Sequence, residues 1–123
     1  MDQKRTWIYC RVDNGSVNCA ELLEMQRHGL ESYAKEHELQ IVGFSSDTGN
    51  GLALDRPGLK AFLSAAECGN LDVLLLHNLD RLGRGMKNIT AYLKSLRNHG
   101  VHVHTAANGE VDLDVYERCF LKW

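Results

Sequence analysis

The sequence lacks the features of membrane, secreted and zinc-ribbon proteins. Apolar runs such as Val73 to Leu76 fall far short of the roughly 18 residues that a membrane span needs. The four cysteines form no CxxC pair and are too few for a disulfide scaffold, which favours reduced thiols in a cytoplasmic protein. No hydrophobic stretch follows the N-terminal residues, so no signal peptide is predicted.

The sequence also lacks a strong excess of one charge. Fourteen basic and sixteen acidic residues leave a net charge of −2, which argues against a surface that is basic throughout. The charges are nevertheless unevenly distributed, because residues 81–108 contain five basic side chains and no acid. This pattern leaves two interpretations open, one local basic face on an acidic body and one exposed helix that is merely rich in Lys and Arg.

Apolar strand patterns alternate with helical periodicity along the 123 residues, most glycines fall between them, and the single proline, Pro57, is predicted to stand in the first turn of a helix. The strands are predicted over residues 7–12, 41–44, 72–76 and 101–104, and the helices over 19–37, 56–68 and 86–99. Residues 105–123 are predicted to form a loop followed by a short helical pattern at Val115, Cys119 and Leu121. This order predicts a three-layer α/β fold with a mostly parallel, four- to five-stranded sheet and helices on both faces. The length suits a single domain over residues 1–123.

Charged side chains follow the predicted strands where ligands bind to open parallel sheets. They are Arg11, Asp13, Asp47, Asp80, Arg81 and Arg84. An arginine within an apolar strand is costly unless it is paired or lines a site, and its guanidinium suits phosphate. The pattern alone leaves two interpretations open, a structural ion-pair network and a phosphate-handling site.

Several segments together resemble the catalytic domain of the serine recombinases, the resolvase/invertase family. They are Ile8-Tyr9-Cys10-Arg11-Val12, Gln26, Asp47-Thr48-Gly49, Arg56-Pro57-Gly58-Leu59 and Leu79-Asp80-Arg81-Leu82-Gly83-Arg84. The resemblance runs from about Trp7 to His104, and the Leu-Asp-Arg-Leu-Gly-Arg segment is its most specific part.

The resemblance implies a DNA strand exchange that needs neither metal nor small-molecule cofactor. In that family, a serine two residues after the first-strand arginine attacks a DNA phosphodiester. Carried over to this sequence, the resemblance makes Arg11, Arg81 and Arg84 a phosphate clamp and Asp80 an acidic neighbour that orients groups or relays protons. It places three further residues near the phosphate or the DNA, namely Gln26, Asp47 and Arg56.

The sequence departs from the family at the nucleophile, because Asp13 stands where the family has its serine. An ionised carboxylate repels a phosphodiester and cannot form the alkoxide that attacks phosphorus. We therefore expect the cleavage activity of this chain to be lost, with Asp13 paired to the arginines. Ser16, three residues later, could replace the serine only if the loop is displaced; it is not the expected nucleophile, because in-line attack tolerates errors of only about an ångström.

The sequence is also shorter than the family pattern. It is predicted to comprise the catalytic domain without the long dimerisation helix or the DNA-binding module. The expected partners are DNA, bound weakly and without sequence preference, and a second copy or a related recombinase; no membrane partner is expected. The alternative function is a non-catalytic interaction module that pairs with an intact recombinase and modulates it.

Overall fold

The computed structural model describes residues 3–12, 18–49, 56–78, 86–107 and 109–111. These residues form a sheet with helices on both faces, which confirms the predicted fold class. In chain order the elements are β1 (Arg5–Val12), α1 (Cys19–Glu36), β2 (Gln40–Thr48), α2 (Pro57–Glu67), β3 (Val73–Leu76), α3 (Met86–Asn98), β4 (His102–Thr105) and β5 (Gly109–Glu110).

The sheet has the strand order β2-β1-β3-β4-β5, in which β1 to β4 are parallel and β5 runs antiparallel to β4. All four residues of β3 are buried, as expected for a central strand covered on both faces. Within the described ranges, none of the helices is long and apolar enough to cross a membrane.

The core has two parts, one on each face of the sheet. On one face, α2 and α3 cover Tyr9, Leu74 and Leu76, with Phe62 and Leu96 as their main apolar contributions. On the other face, α1 packs Leu30 and Ala34 against the remaining strand side chains, which include Ile8, Cys10 and Leu75. Alternate residues of β1 therefore face opposite layers, and the face that holds Tyr9 also receives Arg11 two residues later.

Strand β2 is longer than its sequence pattern predicts. The apolar run ends at Phe44, and Ser45 to Asp47 were predicted to follow the strand, but these three residues continue to pair with β1. They stay in the strand because Ser45 and Asp47 form side-chain hydrogen bonds on the α2 side of the sheet. Near its start, β2 carries a bulge at Val42, where Thr6 pairs with Ile41 and Trp7 with Gly43.

The segment after β4 also differs from its prediction. It was interpreted as a loop followed by a short helix, but Gly109 and Glu110 form β5 along the edge of β4. The pairing continues at Val111, whose N–H donates to the carbonyl of Val103. The predicted short helical pattern at Val115, Cys119 and Leu121 lies outside the described residues.

Candidate active site

The site lies where β1 and β2 end side by side. Arg11 and Asp47 are direct neighbours in the parallel register of these two strands. The Arg11 side chain is almost completely buried, with 2% of its surface exposed. A buried guanidinium needs polar partners, and its Nη1 donates to the carbonyl oxygen of Gly49, directly beyond the end of β2.

The Asp47 carboxylate connects three elements of the fold. One of its oxygens accepts a hydrogen bond from the Tyr9 hydroxyl at 2.8 Å and another from the Leu59 amide at 3.2 Å. The other oxygen accepts from the Gly58 amide at 2.8 Å. Both amides belong to the first turn of α2, where the helix lacks internal acceptors and where its dipole favours a negative charge.

Asp47 thus performs the capping role that the residue at the start of α2 does not. The N-cap of α2 is Arg56, whose side chain makes no capping hydrogen bond, and Pro57 follows it in the first-turn position predicted from the sequence. A Cβ atom on Gly58 would lie 2.6 Å from an Asp47 carboxylate oxygen. Only glycine therefore lets the helix approach the strand so closely.

A second polar connection holds the same turn of α2 against the sheet. The indole Nε1 of Trp7 donates to the Ser45 hydroxyl oxygen at 2.9 Å, and that hydroxyl donates to the carbonyl oxygen of Gly58 at 2.8 Å. Two side chains of β2 therefore position the first turn of α2. Ser45 binds the Gly58 carbonyl, and Asp47 binds the amides of Gly58 and Leu59.

These contacts bring two arginine side chains together at Gly49. Arg11 donates to the Gly49 carbonyl, and the Cδ atom of Arg56 lies 3.7 Å from the place that a Cβ on Gly49 would take. The Arg56 guanidinium carbon lies 6.0 Å from the centre of the Tyr9 ring. The structure thus brings three of the predicted site residues, Arg11, Asp47 and Arg56, into one cluster.

The electrostatics of the cluster keep Tyr9 protonated. Burial raises the pKa of the Tyr9 hydroxyl far above its ordinary value, and the hydrogen bond to Asp47 raises it further, whereas the charge of Arg56 acts in the opposite direction. Burial likewise raises the pKa of Tyr92 on α3, again opposed by Arg56. Tyr9 therefore serves as a hydrogen-bond donor in this site rather than as a base.

Gln26 reaches the cluster from the opposite face of the sheet. Its side-chain amide accepts a hydrogen bond from the Arg11 N–H at 3.4 Å and donates one to the Arg11 carbonyl oxygen at 3.1 Å. A polar residue inside the apolar stripe of α1 thus contacts the main chain of a predicted site residue. Its predicted proximity to DNA stays a prediction.

The other predicted site residues lie outside the described residues; they are Asp13, Asp80, Arg81 and Arg84. Among the described residues, no group of three or more histidine, cysteine, aspartate or glutamate side chains is arranged to hold a metal ion. Tyr9 was not among the predicted site residues. Its position two residues before Arg11 on the same strand face was the available signal.

Comparison with known proteins identifies relatives of the chain as a whole. Residues 6–122 match the family described as the resolvase N-terminal domain. The chain is 30% identical to the serine recombinase PinR of Escherichia coli (strain K12), in an alignment that covers 89% of this chain and 53% of PinR. It is 34% identical to the DNA-invertase hin of Salmonella typhimurium, over 79% of this chain and 45% of the invertase.

Solved structures show the same fold. The C-terminal catalytic domain of ISC1926 TnpA, an IS607-like serine recombinase, is 27% identical with a TM-score of 0.76, and the match covers 95% of this chain and 77% of that one. A resolvase family site-specific recombinase from Streptococcus pneumoniae has a TM-score of 0.79 at 20% identity, over 95% and 85% of the two chains. The chain spans about half the length of the curated relatives described above.

Proposed function

Since the chain belongs to the resolvase N-terminal domain family of serine recombinases, we propose that it is a DNA strand-exchange domain whose own cleavage step is lost at Asp13. The observation that carries the proposal is the convergence of Arg11 and Arg56 at Gly49, next to Asp47. Arginine side chains gathered at the carboxyl edge of a parallel sheet suit a phosphodiester.

In the proposed chemistry, the arginines stabilise the charge that develops on the non-bridging oxygens of the phosphate. Arg11 contributes from the end of β1, and Arg81 and Arg84 are expected to complete the clamp. A serine at position 13 would form an Oγ–P bond while the bond between phosphorus and the 3′ oxygen breaks. The serine proton passes to a neighbouring base, and the leaving 3′ oxygen takes up a proton.

Asp13 stops this sequence at its first step. The carboxylate has no proton to lose and carries the same sign of charge as the phosphate that it would attack. Position 13 follows Arg11 by two residues, so the carboxylate is expected to pair with the arginine clamp instead. The domain then keeps its fold without cleaving DNA.

The loss of the nucleophile also favours a second candidate function, a non-catalytic module that assembles with an intact relative. Asp47 still holds Tyr9 and the first turn of α2, so the scaffold of the site is retained although Asp13 has replaced the serine. A mixed assembly would need this scaffold but not the hydroxyl. The two functions differ in whether restoring the serine restores chemistry.

The test is to restore the serine. Asp13→Ser, fused to the dimer helix and DNA-binding module of a related recombinase, is expected to form a covalent protein–DNA adduct on that relative's site. The parent fusion and the double variant Asp13→Ser/Arg81→Ala should form none, because the loss of one charge-stabilising contact lowers such rates by about a hundredfold or more. Adducts from the parent fusion would contradict the assigned role of Asp13. No adduct from the serine variant, together with a stable mixed assembly with an intact relative, would favour the interaction module.

A further inference from the structure

Strand β1 extends past the neighbouring strand on one side. It pairs with β3 through Thr6, Trp7 and Ile8, whereas β3 ends at Leu76 and β1 continues to Val12. On the other side, β2 accompanies β1 to its end. The last residues of β1 thus have strand β2 on one edge and, among the described residues, no strand on the other.

Arg11 presents its main chain to that uncovered edge. Along a strand, the N–H and carbonyl of one residue point to the same side and those of the next residue to the other side. The Val12 carbonyl accepts from the Gly49 amide, beyond the end of β2, so the N–H and carbonyl of Arg11 point toward the β3 side. Buried main-chain groups without partners would be costly there.

Gln26 supplies both partners. Its side-chain oxygen accepts from the Arg11 N–H, and its side-chain nitrogen donates to the Arg11 carbonyl oxygen. A primary amide holds a donor and an acceptor in one plane, as a peptide group does. One side chain of α1 therefore continues, for a single residue, the pairing that β3 no longer provides.

We propose that Gln26 is a positioning residue that sets the main chain of Arg11 and, through it, the location of position 13. Among the described contacts, Gln26 then holds the main chain of Arg11 and the Gly49 carbonyl holds its guanidinium. Both ends must be held, since phosphoryl transfer tolerates misplacement of only about an ångström. The relevance of this role to DNA chemistry rests on the proposed function.

The first arm of the test uses the chain without any fusion and with Asp13 in place, so it needs no catalysis. Gln26→Ala is expected to lower the hydrogen-exchange protection of the Arg11 amide roughly tenfold, as the loss of a buried hydrogen bond implies, with little change at Leu30 of the same helix. Glu24→Ala, an exposed change on α1, is the matched control and should affect neither amide. Unchanged protection at Arg11, or an equal loss throughout α1 and β1, would overturn the proposal.

The second arm uses Gln26→Glu, which separates a positioning role from simple packing. A protonated carboxyl can donate to the Arg11 carbonyl as the amide does, but an ionised one cannot. The folded state therefore raises the pKa of the introduced carboxyl. The carbonyl ¹³C resonance of Arg11 should match the parent at low pH and depart from it in a transition centred above the ordinary pKa of glutamate, about 4.3. A resonance that is independent of pH would overturn the proposal.

The third arm separates this proposal from the proposed function. In the Asp13→Ser fusion, adding Gln26→Ala should slow adduct formation at least tenfold with unchanged DNA affinity. Equal rates with and without Gln26 would overturn the positioning role alone. If the fusion forms no adduct even with Gln26 intact, the proposed function fails, and the first two arms still decide what Gln26 does.

Discussion

The Asp47 carboxylate accepts a hydrogen bond from the Tyr9 hydroxyl at 2.8 Å, and it accepts two more from backbone amides in the first turn of α2. One side chain of β2 therefore joins β1 to the helix that carries Arg56 at its start. The contact that holds the fold together here also determines where an arginine of the site lies. Stability and site geometry should consequently change together in variants of this pair.

Replacing the two partners should reveal this coupling. Tyr9→Phe is expected to lower the free energy of unfolding by about 1 kcal/mol, the usual worth of a buried hydrogen bond. Asp47→Ala should lower it by about 2–4 kcal/mol, because it removes a helix cap and leaves the Tyr9 hydroxyl without its acceptor. In urea unfolding, the double variant should lose about 1 kcal/mol less than the two single losses together. Strictly additive losses would contradict the coupling.

Replacing a glycine with alanine should change the free energy of unfolding in opposite directions in α2 and α1. Gly58→Ala places a Cβ 2.6 Å from an Asp47 oxygen and 2.8 Å from the Ser46 carbonyl oxygen, so it should lower the free energy of unfolding by about 1–3 kcal/mol. Gly29→Ala is the matched control in α1, where the new Cβ has no atom within 4 Å apart from its chain neighbours and the backbone of its own helix. It should raise stability by about 0.5–1 kcal/mol through helix propensity. Equal effects in denaturant titrations would argue against the close approach of α2 to β2.

The sequence predicted the fold well where burial alone determines the element. The apolar runs of β1 and β3 and the proline that opens α2 needed no tertiary information. The predicted end of β2 was wrong because Ser45 and Asp47 are residue types typical of turns. Their place in the strand follows only from their partners Trp7, Tyr9 and Gly58, which the local sequence does not reveal. Strand β5 has only two residues and is defined by its pairing with β4, so no local sequence pattern predicts it.

The candidate site was only partly predictable for a similar reason. Arg11 stands out as a charge in an apolar strand, and Gln26 as an amide in an apolar helix stripe. Local capping rules, however, look for a side chain next to the helix start. They cannot find Asp47, which lies 11 positions before Gly58 and reaches α2 from another element. The link between Tyr9 and Asp47 spans 38 positions and depends on strand register.

Stability should fall as pH decreases through the range in which His104 titrates. Burial lowers the pKa of His104 below its ordinary value of 6.5, against the opposing effect of Glu110, whose carboxylate lies 3.4 Å from Nε2. Lys4 and His102 also lower this pKa. The unfolded chain therefore takes up a proton near pH 6.5 before the folded chain does, so the free energy of unfolding decreases as pH falls below that value.

The measurement is urea unfolding from pH 7.5 to 5. His104→Gln should flatten the decrease, since it removes the group that titrates differently in the two states. His102→Gln is the matched control on the same face of β4, where the imidazole is exposed, and should leave most of the decrease in place. Equal slopes for the parent and His104→Gln would assign the pH dependence to other groups.

The chain on its own is expected to bind duplex DNA weakly, without sequence preference and mainly through α3. Five basic residues and no acid lie in residues 81–108, whereas the rest of the chain carries a net charge of −7. Contacts to phosphates position a protein but do not read bases, so a Kd of roughly 10⁻⁴ to 10⁻⁶ M at physiological salt is expected. Lys94→Glu, an exposed change on α3, should weaken binding roughly fivefold and reduce the salt dependence.

Lys35→Glu makes the same change of charge on α1, across the sheet, and should have little effect in a fluorescence anisotropy titration. Equal losses for the two variants would show that net charge rather than the α3 face governs binding, and nanomolar, sequence-selective binding by the parent would contradict the prediction outright.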